Sequence, residues 1–257
     1  MAGDVSIAAE SATPFKRDGA LALALGGAFG VAAALAVPPL VGALPREASD
    51  LPLPLPLFCL FLAVQMTVLY GLLALAGLRL ARRQGLEPLW AQTAARQRTI
   101  PIAAAALGLG MLRGVWLIGA VAAIQRLAPG TLPEALHPPT WAAALAASTA
   151  ASIGEEILFR LFLLTLLLRL LPRQRWAVAG AVGISALAFG AAHTPGLVYL
   201  YGGFGGVPRL TWVWLLALNG ALGVVYALTY LRAGLIAAML AHFGTDLIWH
   251  VASRALA

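Results

Sequence analysis

Apolar runs of about twenty residues recur along this chain, and they restrict its fold more than any single motif does. A helix needs roughly 20 apolar residues to cross the hydrocarbon of a bilayer, where every backbone N–H and C=O must be satisfied within the protein. Runs of that kind lie at 19–43, 55–80, 100–126, 140–170, 176–194, 210–231 and 233–253. They predict an all-α, polytopic transmembrane helical bundle of seven to eight helices, one membrane-embedded domain over 1–257. Composition agrees, since 11% of residues are charged where a soluble domain carries roughly 25%. The first run follows Lys16 and Arg17 much as the core of a signal peptide would. It exceeds the roughly 7–15 residues of such a core, so it is expected to persist as a span. Pro38 and Pro39 are expected to kink it, the fourth run to tilt, and 195–209 to form a loop or re-entrant element.

A formal charge of +7 raises the possibility of a nucleic-acid partner, but the basic residues stand at the ends of apolar runs with no aromatic interleaving. Arg79, Arg82, Arg83, Arg96 and Arg98 surround the second connection, and Arg169, Arg173 and Arg175 the fourth. With Lys16, Arg17 and Arg232 they outnumber Arg46, Arg126, Arg209 and Arg254 on the other side. The excess predicts a cytoplasmic amino terminus and, with seven spans, an external carboxyl terminus. The expected location is a multi-pass integral membrane protein, with the Ala- and Leu-rich composition pointing to a bacterial inner membrane; the expected partners are the lipid bilayer and no nucleic acid. The single cysteine, Cys59, leaves no intramolecular disulfide to form.

Three acidic residues, Glu155, Glu156 and Asp246, lie inside apolar runs. Each costs about 2.5–3.5 kcal/mol at mid-bilayer, so each needs a partner or a job. Glu156 and Arg160 are spaced i, i+4 with the acid first, the favourable order for a helical ion pair. Glu155 lies about 100° round the helix and has no local counter-charge. Either the cluster ties helices together, or Glu155 is free for chemistry. His193 and His242 also fall in or at the end of apolar runs, whereas His137 and His250 read as ordinary polar residues. Arg113 reads as a side chain that snorkels or pairs within the bundle, or else meets a substrate carboxyl terminus or the acidic cluster.

Glu155 and His193 are spaced almost evenly about the basic turn at 172–175. In an antiparallel hairpin both stand roughly 27 Å along their helices, so a carboxylate and an imidazole could meet across it. His242 fits less well, being roughly 15 Å beyond Arg232. Either the fourth run projects out of the membrane, or the turn at Arg232 is sunk within the protein.

Taken in order, these residues resemble the CPBP family, the CAAX-protease and bacteriocin-processing (Abi) group of intramembrane proteases. EExxxR stands as Glu155, Glu156 and Arg160, FxxxH as Phe189 and His193, and HxxxN/D as His242 and Asp246. The resemblance covers a catalytic core at about 140–250. It implies hydrolysis of a peptide bond in a membrane-associated peptide or protein, with Glu155 and His193 activating water and His242 and Asp246 binding the oxyanion or a metal. Glu155, His193 and His242 are candidate ligands for a divalent metal such as zinc, although no HExxH spacing places two of them on one helix. An ionised Asp246 accepts hydrogen bonds but cannot donate one to an oxyanion, so it suits a metal or the orienting of His242. Catalysis by glutamate and histidine without a metal is the preferred expectation. Two other classes stay open, a non-enzymatic scaffold or immunity protein and a proton- or cation-coupled transporter.

Overall fold

The computed structural model describes residues 14–42, 51–86, 88–89, 99–131, 140–172 and 176–252. Those residues are helical throughout their ordered elements, with no strand among them. The helices are α1 (Pro14–Val41), α2 (Leu55–Arg83), α3 (Thr99–Leu127), α4 (Trp141–Glu155), α5 (Thr165–Leu170), α6 (Ala177–Ala191), α7 (Thr194–Leu200), α8 (Arg209–Ala233) and α9 (Leu235–Asp246). A π-helical segment, Glu156–Leu164, joins α4 to α5, and a second, Leu247–Ala252, continues α9. His137, Arg46, Arg96, Arg98, Arg173, Arg175 and Arg254 lie outside the described residues.

Five helical stretches are long and apolar enough to cross a membrane: Lys16–Val41, Leu55–Arg83, Thr99–Leu127, Ala177–Leu200 and Arg209–Ala233. The run at 140–170 is helical from end to end but carries the charged cluster, and Leu235–Val251 is the shorter apolar helix. Pro38 and Pro39 sit near the end of α1, which runs through them to Val41. The segment expected as a loop or re-entrant element is helical in its first part, as α7, before a short 3-10 turn at Phe204–Gly206.

Small residues draw the helices together. With no water to expel between apolar faces, close backbone approach and dispersion hold such a bundle. Gly30 of α1 faces Thr67 and Ala63 of α2, and Gly110 of α3 lies against the Ala241 carbonyl of α9, so a Cβ at either position would clash. Gly223 of α8 meets Ala186 of α6 in the same way. The α1–α2 hairpin flanks α4 and the first π segment, α3 flanks α9, and α6 pairs with α8. The most apolar stretch of α2 is 6% buried and that of α8 is 33% buried, which marks the hairpin as a lipid-facing wall and α8 as an inner helix.

The two ends of the hairpin share one side of the membrane. Arg82 Nε donates to Asp18 Oδ1 at 2.8 Å, joining the start of α1 to the end of α2. At that same end Gln84 Nε2 donates to the Thr165 carbonyl at 2.8 Å, which brings α5 there too. Lys16, Arg17, Arg82, Arg83 and Arg169 therefore gather at one end of the bundle.

The depth of His242 has a structural cause. Between α8 and α9 the chain reverses through Gly234 alone, at φ 90°, a region that favours glycine. Gly234 and Leu235 are buried. The first amides of α9, on Leu235 and Ile236, donate to the carbonyls of Pro88 and Leu89 at 2.9 and 3.2 Å. The connection after α2 thus covers the turn and satisfies the open end of α9, and the turn is sunk within the protein.

Candidate active site

Three of the expected residues, Glu155, Glu156 and Asp246, converge on the imidazole of His242. His242, 4% exposed, places Nδ1 2.9 Å from Glu156 Oε1. Its Nε2 lies 3.9 Å from Glu155 Oε2 and 3.6 Å from Asp246 Oδ2. The other oxygen of Glu156 lies 3.2 Å from Arg160 Nε, and neither side chain of that pair has any exposure. Because a carboxylate only accepts, the His242 proton facing Glu156 sits on Nδ1, and Nε2 is the nitrogen turned to the site.

Each acid has a distinct setting. Glu156 is locked between Arg160 and His242, which answers the cost of burying its charge. The Glu155 side chain keeps 31% exposure and, among the described residues, forms an ion pair only with the His242 ring. Asp246 stands one turn beyond His242 on α9, with 15% of its side chain exposed.

Backbone register contributes to this arrangement. The first π segment starts at Glu156, and the second follows directly after Asp246. π-helical turns are uncommon and gather at functional sites, because their wider winding leaves carbonyls without their usual partners. Here side chains supply those partners. Ser185 Oγ of α6 donates to Phe159 O at 2.8 Å. The Thr165 hydroxyl bonds back to Leu161 O and lies 3.0 Å from Phe162 O.

Aromatic rings enclose the charged core. The Arg160 guanidinium lies 4.3 Å from the centre of the Phe189 ring and 5.3 Å from that of Tyr226. Phe189 also packs edge-on against His193 at 5.1 Å and His242 at 5.8 Å. Tyr226 stacks on His242 at 4.7 Å and 14°. Phe189 and Tyr226 therefore hold the imidazole in place as a packed box.

His193, at the α6–α7 junction, forms a 2.9 Å hydrogen bond from Nδ1 to the Phe189 carbonyl. That carbonyl is an acceptor, so the proton is on Nδ1 and Nε2 is free to accept. No direct contact joins Glu155 to His193 among the described residues. The back-bond curls His193 toward its own helix, and Glu155 meets His242 instead. His193 shares the site through a cavity of about 240 Å³, which it lines with His242 and Asp246. Leu117, Val121, Leu197, Leu218 and Trp249 make most of the remaining wall apolar. His250, read from sequence as an ordinary polar residue, lines this cavity too. Arg113 does not line it; its Nη1 is buried without a hydrogen-bond partner.

The candidate zinc ligands Glu155, His193 and His242 do not meet as a set. Among the described residues no three His, Cys, Asp or Glu side chains are grouped to hold a metal ion.

Comparisons with known proteins bear on the same segment. Residues 137–248 match the family model described as Type II CAAX prenyl endopeptidase Rce1-like. No curated protein and no solved structure matches the chain. The matched segment starts just before α4 and ends within the second π segment, so it contains the acids, both site histidines and the cavity walls from α6 to α9. The family of that model is part of the CPBP family, so residues 137–248 are similar to CAAX-protease-like membrane proteins.

Proposed function

We propose that this protein is an intramembrane endopeptidase that hydrolyses a peptide bond next to apolar residues of a membrane-associated peptide or protein, using water activated by Glu155. The observation that carries the reading is the convergence of Glu155, Glu156 and Asp246 on His242, where His242 and Asp246 line an apolar cavity. An apolar cavity with a few convergent polar groups is the ordinary form of a substrate site.

The residues divide the work as follows. The 3.9 Å separation of Glu155 from His242 Nε2 exceeds a direct hydrogen bond and suits a bridging water. Glu155 takes a proton from that water as its oxygen attacks the carbonyl carbon, and the carbonyl π electrons move onto oxygen. The proton then passes to the amide nitrogen as the C–N bond breaks, leaving a carboxylic acid and an amine. Glu156, held by Arg160, fixes the tautomer and orientation of His242. His193 Nε2 and Asp246 face the cavity and position the substrate, whose apolar side chains fill the Leu- and Trp-lined wall.

The test uses the purified full-length protein in lipid nanodiscs and a library of quenched-fluorescent apolar peptides. Glu155→Gln is expected to lower kcat by about 10²–10⁴-fold, the range for a lost general base, with the thermal midpoint unchanged. Turnover at the wild-type rate in that variant would remove Glu155 from the mechanism. Chelation is expected to leave the rate unchanged; stoichiometric zinc whose removal abolishes turnover would replace this scheme with a metal-dependent one.

A further inference from the structure

Hydrolysis through a tetrahedral intermediate needs a hydrogen-bond donor aimed at the oxygen that becomes negative. Three of the side chains around His242 are carboxylates, which only accept when ionised. Arg160 is a donor, but it is fully buried against Glu156 and does not line the cavity.

Two cavity-lining side chains, Trp214 and Tyr226, carry a buried donor without a hydrogen-bond partner. Trp214 lies more than three turns from Tyr226 along α8, roughly 18 Å at 1.5 Å per residue. Tyr226 is the one in contact with the imidazole. It is 1% exposed, and Thr245, Asp246, Glu156, Arg160 and Arg113 are its polar neighbours. The Thr245 hydroxyl lies beside the phenol and directs its own proton to the Gly110 and Ala241 carbonyls, at 3.1 and 3.0 Å, and the Tyr226 hydroxyl itself is buried with no hydrogen bond of proper geometry. A buried hydroxyl without a partner is rare and calls for an explanation.

We infer that Tyr226 is a catalytic residue, whose hydroxyl donates to the substrate carbonyl oxygen and holds the oxyanion as water adds. The phenol keeps its proton throughout; the negative charge on oxygen returns to the carbonyl when the C–N bond breaks. The neutral donor answers what Asp246 cannot supply, and the parallel stack fixes the Tyr226 ring against the imidazole of His242. This inference rests on the proteolytic reading above.

Tyr226→Phe tests it, because the ring and its stack remain and only the hydroxyl is lost. In nanodiscs with the same peptide library, kcat is expected to fall by about 10²–10³-fold with KM little changed. The inhibition constant of a peptidyl phosphinate, a mimic of the tetrahedral oxyanion, should rise by a similar factor. The thermal midpoint reports that the fold is kept. Wild-type kcat in Tyr226→Phe, with Glu155→Gln inactive, would overturn this inference and leave the protease reading standing. Equal weakening of the phosphinate and of an uncleaved substrate analogue would also overturn it, since that is the mark of a packing role. Absence of cleavage by the wild-type protein would remove both.

Discussion

The α1–α2 hairpin and the pairing of the α4–π segment with α9 are both made of apolar helices brought close by small residues, yet they place charge in opposite ways. In the hairpin the ion pair is Asp18 with Arg82, near the helix ends, and the Arg82 side chain keeps 30% exposure. Around α9 the ion pair is Glu156 with Arg160, fully buried, with a histidine inserted between acids. Charge at a helix end can draw on water and headgroups, so it orients the hairpin at small cost. Charge in the centre has only protein to satisfy it, and each partner becomes essential to the next.

That difference predicts its largest effect at Glu156. Glu156→Ala leaves Arg160 buried without its carboxylate and His242 without its Nδ1 acceptor. The expected loss is about 3–5 kcal/mol of stability, the range for breaking a buried pair. It is read as unfolding of the detergent-solubilised protein by heat or denaturant. The double variant Glu156→Leu with Arg160→Met removes both charges and should recover much of that loss while staying inactive. A loss below about 1 kcal/mol in Glu156→Ala would show that water reaches the pair, and the contrast with the hairpin would fail.

Much of this arrangement is legible in the sequence because it follows local rules. Helical spacing alone pairs Glu156 with Arg160, and acids stranded in apolar runs point to Glu155 and Asp246. The family resemblance read at about 140–250 spans nearly the same residues as the family match at 137–248. What the sequence leaves open depends on neighbours far along the chain. The first π segment has its Phe159 carbonyl satisfied by Ser185 of α6, and no periodicity encodes that. The depth of His242 follows from Pro88 and Leu89 covering the α8–α9 turn. Helix spacing places Glu155 and His193 at one level, but it does not encode the bond of His193 Nδ1 to the Phe189 carbonyl, which fixes the ring. Tyr226 gives no signal of its own, because a tyrosine in an apolar run reads as an interfacial residue until its stacking partner is known.

A middle-sized effect separates the two seams of small residues. Gly110→Ala and Gly30→Ala both force a Cβ onto backbone of the facing helix. Each is expected to cost about 1–3 kcal/mol by overpacking. Their effects on catalysis should diverge, since Gly110 abuts the helix that carries His242 and Gly30 abuts only α2. Gly110→Ala is expected to lower kcat by about tenfold or more, a misplacement effect, while Gly30→Ala leaves kcat unchanged. Gly119, with open space around its missing Cβ, is the control. Equal kcat losses at Gly30 and Gly110 would mean that the hairpin positions the site as firmly as α3 does.

The smallest effect belongs to the hairpin ion pair. Arg82 Nε and Asp18 Oδ1 form a single 2.8 Å contact, and with the arginine partly in solvent the Coulomb gain is screened by water and salt. A double-mutant cycle with Asp18→Asn and Arg82→Gln is expected to give a coupling of about 1 kcal/mol or less, falling as salt is raised. Asp18 works against this expectation, since its side chain is only 6% exposed and loses more hydration than a surface acid does. The two tendencies separate by salt: a partly wet pair weakens in high salt, and a dry one does not. A coupling above about 2 kcal/mol that ignores salt would make the end of the hairpin as dry as the surroundings of Glu156. In that case burial, rather than position along the helix, would govern what a charge contributes in this bundle.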